Sequence, residues 1–157
     1  MKVMKRSILV LGAVVALSSF AYAHDDHGHE HHAGDSYSAG EAGDPKTPAR
    51  TIEVEMREME YLPPKIEVKR GEQIRFVIHN TGIEAHEFLL ATTAENLKHE
   101  AVMRKNPDME HDEPNVRIAA KQSGEILWTF TKPGTFEYAC LIPDHREYGM
   151  TGKVIVK

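Results

Sequence analysis

Residues 135–157 read TFEYACLIPDHREYGMTGKVIVK, a strand, a loop and a second strand. Thr135 to Cys140 follows the Lys132-Pro133-Gly134 turn and is rich in aromatic and β-branched side chains, and Lys153 to Lys157 returns to extended structure. Between them Cys140, His145 and Met150 stand in the spacing C-x4-H-x4-M. Cys140 ends one strand and Met150 almost begins the next. The loop must therefore fold over one end of a sheet structure, where it can turn a thiolate, an imidazole and a thioether inward together.

Outward from this segment the period-two pattern recurs. Ile52, Val54 and Met56 alternate with Glu53, Glu55 and Arg57, which places one strand face in a core and the other in water. Tyr61-Leu62-Pro63-Pro64 interrupts, Ile66 to Lys69 resumes extended structure, and Arg70-Gly71-Glu72 makes a turn. Ile74, Phe76 and Ile78 then alternate up to the Asn80-Thr81-Gly82 turn, and His86 to Leu90 reads as a short strand. Thr93 to Arg104 breaks the period: Thr93 can cap a helix with Glu95 in its first turn and Leu97 and Ala101 on one face. A loop is expected through Asn106-Pro107 to Asn115, with strands returning at Ile126, Trp128 and Phe130. No internal repeat is visible. Many short strands, close turns and one short helix on a connection predict an all-β fold, a Greek-key β-sandwich.

The chain divides into three parts. Residues 1–23 read as a signal peptide: Lys2, Lys5 and Arg6 precede an apolar run from Ile8 to Leu17, and Ala21-Tyr22-Ala23 is an A-x-A cleavage site. The run is shorter than the roughly 20 residues of a membrane span, so the expectation is a periplasmic protein free of the membrane after cleavage. Residues 24–50 are polar, with almost no large apolar side chains, and are expected to form a flexible tail. His24, His27, His29, His31 and His32 crowd its start and form a tract suited to metal capture. Residues 51–157 form the single folded domain. The chain has 19 basic and 24 acidic residues; losing residues 1–23 removes three bases and no acid, leaving a formal charge of −8. That balance argues against nucleic acid and anionic lipid as partners.

Cys140 is the only cysteine, so no disulfide can form within the chain, and an unpaired thiol in an oxidising compartment needs protection. A metal is the simplest occupant. One more donor would complete a site around the loop, and His86 follows the Asn80-Thr81-Gly82 turn at what should be the same end. Two imidazoles, a thiolate and a weak axial thioether select copper, because the sulfur donors favour the reduced ion while the imidazoles also suit the oxidised one. Zinc sites rarely use Met and draw on more Cys or His. A second site for reduced copper from His99, Met103, Met109 and His111 has suitable donors, with His99 and Met103 four apart on the expected helix. Met56 belongs with the core face, His79 alternates away from it, and Trp128 reads as a core anchor. No nucleotide loop, nucleophile elbow or catalytic acid pair is present, so an enzyme is not expected.

The stretch Tyr138-Ala139-Cys140 through His145 and on to Met150-Thr151-Gly152 resembles the copper loop and last strand of cupredoxins, the type 1 copper proteins. Its spacing and Ile-Pro-x-His step are similar to those of rusticyanin. The wider frame, with His86-Glu87-Phe88, the segment Asn106 to Asn115 and the His-rich tail, resembles the periplasmic copper-tolerance cupredoxins of the CopI type. The resemblance covers about residues 51–157 and implies one copper held by His86, Cys140, His145 and Met150. One position departs from the pattern: many blue copper proteins carry Asn or Ser after the first His, and here Glu87 stands there. A two-copper centre is excluded by the lack of a second cysteine. The resemblance implies copper handling and tolerance; the same ligands would serve a soluble electron-transfer protein with a redox or copper-transfer partner, or the oxidation of Cu(I).

Overall fold

The computed structural model describes residues 38–106 and 114–157. Two five-stranded sheets pack face to face, as the period-two pattern predicts. One has the order β1-β8-β5-β2-β3 and the other β4-β10-β9-β6-β7. In the first, β1 is Glu41–Ala42, β2 Arg50–Arg57, β3 Glu60–Leu62, β5 Gln73–Asn80 and β8 Ser123–Thr129. In the second, β4 is Lys65–Val68, β6 His86–Ala91, β7 Asn115–Ile118, β9 Gly134–Ala139 and β10 Thr151–Val156. The strands β2 and β5 run parallel, as do β10 and β4, and the remaining neighbours are antiparallel. This is a Greek-key β-sandwich.

Alternation accounts for the core. Val54 and Met56 of β2, Ile74, Phe76 and Ile78 of β5, and Ile126 and Trp128 of β8 point into the space between the sheets. They meet Phe88, Phe136, Tyr138 and Val154 from the opposite sheet in one cluster. Aromatic rings fill its centre: Tyr138 stacks on Phe88 with centroids 5.1 Å apart and meets Tyr61 edge-on at 5.2 Å. Such pairs contribute about 0.5–1.5 kcal/mol beyond area burial.

Four local expectations need correction. Tyr61 does not merely interrupt β2; it lies in β3, a hairpin partner of β2 with Met56 opposite Tyr61, closed by a turn in which Met59 takes φ 62°. Strands were expected to return only at Ile126, but Asn115–Ile118, where the expected loop ends, is already strand β7 and pairs with β6. The helix α1 spans Thr93–Met103, but its cap is Thr92, in a capping box with Glu95. Its buried residues are Asn96, Glu100 and Met103, while Leu97 is 51 % exposed. This polar face is held because the Asn96 amide donates to Glu137 of β9 and Glu100 pairs with Arg146 of the loop after it, as described below.

The tail expected to extend through residue 50 is packed along its described part. Ala39 is fully buried, and β1 pairs with the edge of β8, placing Ala42 opposite Trp128. Gly43 N–H donates to Leu127 O at 2.9 Å, and the Gln73 side chain bonds the backbone of Asp44 and Thr47. Gly40 adopts φ +143°, where a Cβ would meet Thr129 O at 2.0 Å. Small residues bonded through their backbones cover a sheet edge here, a role hydrophobic composition does not signal.

Candidate metal centre

The hairpin of β9 and β10 carries the loop 140–150 at one end of the sandwich, with Thr151 opposite Ala139. The strand β6 flanks β9 with Leu89 opposite Ala139, so His86, three residues earlier, lies beyond the end of β9 beside the loop. Register therefore delivers His86 to Cys140 and His145. The Nδ1 atoms of His86 and His145 are 3.3 Å apart, and Cys140 Sγ is 3.4 Å from His145 Nδ1. Among the described residues this is the one group of His, Cys, Asp and Glu with ligand atoms gathered in this way, all within 4.8 Å of one another.

The loop is compact and held from behind. His145 N–H donates to Ile142 O, Tyr148 N–H to Asp144 O and Gly149 N–H to Arg146 O, with Asp144 at φ 75° and Gly149 at φ 104°. Met150 joins both other loop donors through its backbone: its N–H donates to His145 O at 3.1 Å and its carbonyl accepts from Cys140 N–H at 3.2 Å. Its side chain is fully buried in the same cluster as Cys140. Arg146 donates to the Glu137 carboxylate of β9 at 3.1 Å and lies 3.6 Å from Glu100 of α1. Arg104, at the end of α1, reaches Asp144 at 3.0 Å and Glu147 at 2.6 Å. Asn96 donates to the Glu137 carbonyl and carboxylate. The polar face of α1 is thus a clamp on the ligand loop.

Burial governs the electrostatics. It pushes the Cys140 thiol up to about 12, against the pull of N–H groups from Glu87 and Ile142. The metal-free thiol is therefore protonated and inert at neutral pH. Burial, followed by the nearby charge of His145, holds His86 below the ordinary imidazole range, which keeps it in the neutral form that binds metal. Glu87 takes part through its backbone: its N–H donates to Cys140 Sγ at 3.3 Å and its carbonyl accepts from Tyr61 Oη. Its carboxyl is buried, with Arg117 4.0 Å away, and burial raises it above the usual carboxylate range while Leu141 N–H pulls it down. Glu87 so ties β6 to the residue after Cys140, at the position where the resemblance led one to expect Asn or Ser.

The donors fit a copper ion. Ligands about 2.0–2.3 Å from one metal stand roughly 3.3 Å from each other, close to the 3.3 and 3.4 Å that separate His145 Nδ1 from His86 Nδ1 and from Cys140 Sγ. In the fully buried His86 ring Nε2 has no hydrogen-bond partner, and the Glu58 carboxylate stands 3.8 Å from it. Imidazole, imidazole and thiolate are donors that serve both Cu(II) and Cu(I). Copper held there supplies one-electron exchange.

The other predicted donors are placed differently. Met103 is fully buried against Leu89, Ala139 and Leu141 and packs beneath the ligand loop. His99 is partly buried on α1, in a surface depression with Glu95, Lys98 and Val102, and burial lowers its pKa. Met109 and His111 lie outside the described residues, as do His24, His27, His29, His31 and His32. The contacts of Arg104 and Arg146 were not anticipated; each reaches across to another element, and no local motif marks it.

A Greek-key sandwich closed at one end over a buried His-Cys-His cluster defines a cupredoxin. Comparison with known proteins gives the family. The chain belongs to the copper binding proteins of the plastocyanin/azurin family, whose model matches residues 49–157. It is 44 % identical over 162 residues to the copper-resistant cuproprotein CopI of Rubrivivax gelatinosus, covering 99 % of this chain and 98 % of that one. It is 31 % identical to the copper-resistant cuproprotein CopI of Pseudomonas aeruginosa, covering 99 % and 97 %. Auracyanin B shares the fold, with a TM-score of 0.64 and 21 % identity over 78 % of this chain and 99 % of that one.

Proposed function

We propose that this protein is exported to the periplasm, holds one copper ion with His86, Cys140, His145 and Met150, and acts in copper tolerance. The observation that carries the tolerance reading is similarity over 99 % of the chain to a relative whose name records copper resistance. The site chemistry supports it. Cys140, His86 and His145 converge in a buried pocket that the protein preorganises, and the fully buried Met150, on the same loop, would offer a thioether suited to Cu(I). A redox-competent ligand set lets the bound ion change oxidation state with little rearrangement. The histidines between His24 and His32 collect further copper. Residues 1–23 direct export, and no helix among the described residues is long and apolar enough to cross a membrane.

A strain lacking the protein tests the reading by growth on rising copper, set against respiratory activity without added copper. Copper sensitivity with normal respiration is expected. Normal copper tolerance with impaired respiration would instead make the protein a soluble electron carrier.

A further inference from the structure

Each imidazole of the centre has a carboxylate at its far nitrogen. His86 Nε2 lies 3.8 Å from Glu58 Oε1, and His145 Nε2 lies 3.7 Å from Glu84 Oε2. Because the two rings turn Nδ1 toward each other, Nε2 is the outward nitrogen of both. His86 is fully buried, so its Nε2 faces Glu58 from inside the protein wall.

Glu58 occupies a shaped seat. Its carboxylate accepts from the backbone N–H of Ile83 and, at 3.3 Å, from that of Glu84. Gly82 leaves the room it needs, since a Cβ there would sit 2.3 Å from Glu58 Oε1. Three consecutive residues of the loop before β6 therefore cradle the acid that faces His86. The third of them is Glu84, whose own carboxylate faces His145. One short loop sets both acids.

We infer that Glu58 and Glu84 are positioning residues for the copper ligands: each carboxylate faces the Nε2–H of one imidazole, favours the tautomer that leaves Nδ1 for the metal, and adds negative charge that favours Cu(II) over Cu(I). This rests on the reading of His86 and His145 as ligands through Nδ1. A carboxylate behind a ligating imidazole fixes its orientation and raises its basicity. Both acids are substantially exposed, with side chains 42 % and 58 % accessible. Exposed pairs contribute little to folding, so their effect belongs to the metal's properties rather than to stability.

The test uses the full mature chain with Glu58→Gln, Glu84→Gln and the double substitution, and Glu125→Gln as a control at an exposed acid paired with Arg75 on the outer face of the first sheet. Affinities for Cu(I) and Cu(II) are measured by competition, and the reduction potential by redox titration. In the double variant the Cu(II) to Cu(I) affinity ratio should fall about tenfold, which raises a one-electron potential by about 59 mV. The single variants should move it part of the way, and Glu125→Gln should leave it alone. In the metal-free protein, nitrogen NMR should report His86 and His145 as Nε2–H tautomers, with His86 becoming mixed in Glu58→Gln and His145 in Glu84→Gln. Unchanged potentials and tautomers in variants that still bind copper would overturn the role of the carboxylates. Failure of the unsubstituted protein to bind copper would overturn the ligand assignment, and the carboxylate role with it.

Discussion

His86 Nδ1 and His145 Nδ1 lie 3.3 Å apart although 59 residues separate them in the chain. Burial first, and then the nearby charge of His145, hold His86 below the ordinary imidazole range, which favours the neutral form that binds metal. The folded protein thus stores a set of converging donors that an ion relieves.

Copper should therefore stabilise the fold strongly. A ligand that binds only the native state adds about 4 kcal/mol at a thousand times its dissociation constant, and each 1 kcal/mol moves the melting temperature of a domain near this size by roughly 4–8 °C. Thermal unfolding of metal-free and copper-loaded protein should differ by more than about 10 °C, and a chelator should reverse the gain. Equal melting temperatures would refute a preformed copper site.

Cys140 should supply the visible charge-transfer band of the oxidised centre. Cys140→Ser removes the thiolate while keeping the size of the side chain, at a cost of about 1–3 kcal/mol for a buried hydroxyl. The variant should remain folded by circular dichroism and lose the band on addition of Cu(II). A coloured variant would place the sulfur of the band elsewhere.

Met150→Leu tests the axial ligand. Leucine conserves the volume of a fully buried side chain and costs under about 1.5 kcal/mol, so the protein should fold and keep both copper and colour. The reduction potential should change, because axial ligation tunes it. An unmoved potential would mean that the Met150 sulfur does not reach the metal.

Three of the four proposed ligands were legible because they lie on one loop, where C-x4-H-x4-M is a local pattern. His86 was legible only by position after a turn; its delivery depends on the pairing of Leu89 with Ala139. What escaped notice depends on contacts between distant segments. The helix pattern placed Leu97 and Ala101 together on one face, but the face turned to the protein is that of Asn96 and Glu100, which meet Glu137 and Arg146. Likewise β1 is held by backbone bonds and leaves no hydrophobic signature.

That polar clamp gives a stability prediction. Arg146 is 15 % exposed between Glu137 and Glu100, themselves 9 % and 8 % exposed. Arg146→Met leaves the nearly buried Glu137 carboxylate without its cation and Glu100 with only its 3.3 Å pair to Arg104, which costs about 3–5 kcal/mol. Arg104→Met acts at a cation 38 % exposed and should cost no more than about 1 kcal/mol. Urea unfolding of the two metal-free variants should separate them clearly. Equal losses would show that the clamp is a set of surface pairs.

Two truncations separate copper capture from folding. Deleting residues 24–37 removes His24, His27, His29, His31 and His32 but stops short of Ala39 and β1. Deleting 24–48 also strips β1 from β8 and removes Asp44 and Thr47 from Gln73. The shorter deletion should keep the melting temperature and the coloured band while lowering the total copper bound per chain at neutral pH. The longer one should also lower the melting temperature, since it exposes the edge of β8 beside Trp128 and leaves the Gln73 amide without its backbone partners. Neutral imidazole is the binding form, so the extra copper on the full chain should be lost as pH falls through about 6.5, the unperturbed histidine value. Metal analysis after removal of free ion gives the total, and the band reports the buried centre. Equal totals for the full chain and the 24–37 deletion would end the capture role. Loss of the band in that deletion would mean that a histidine before residue 38 belongs to the main centre.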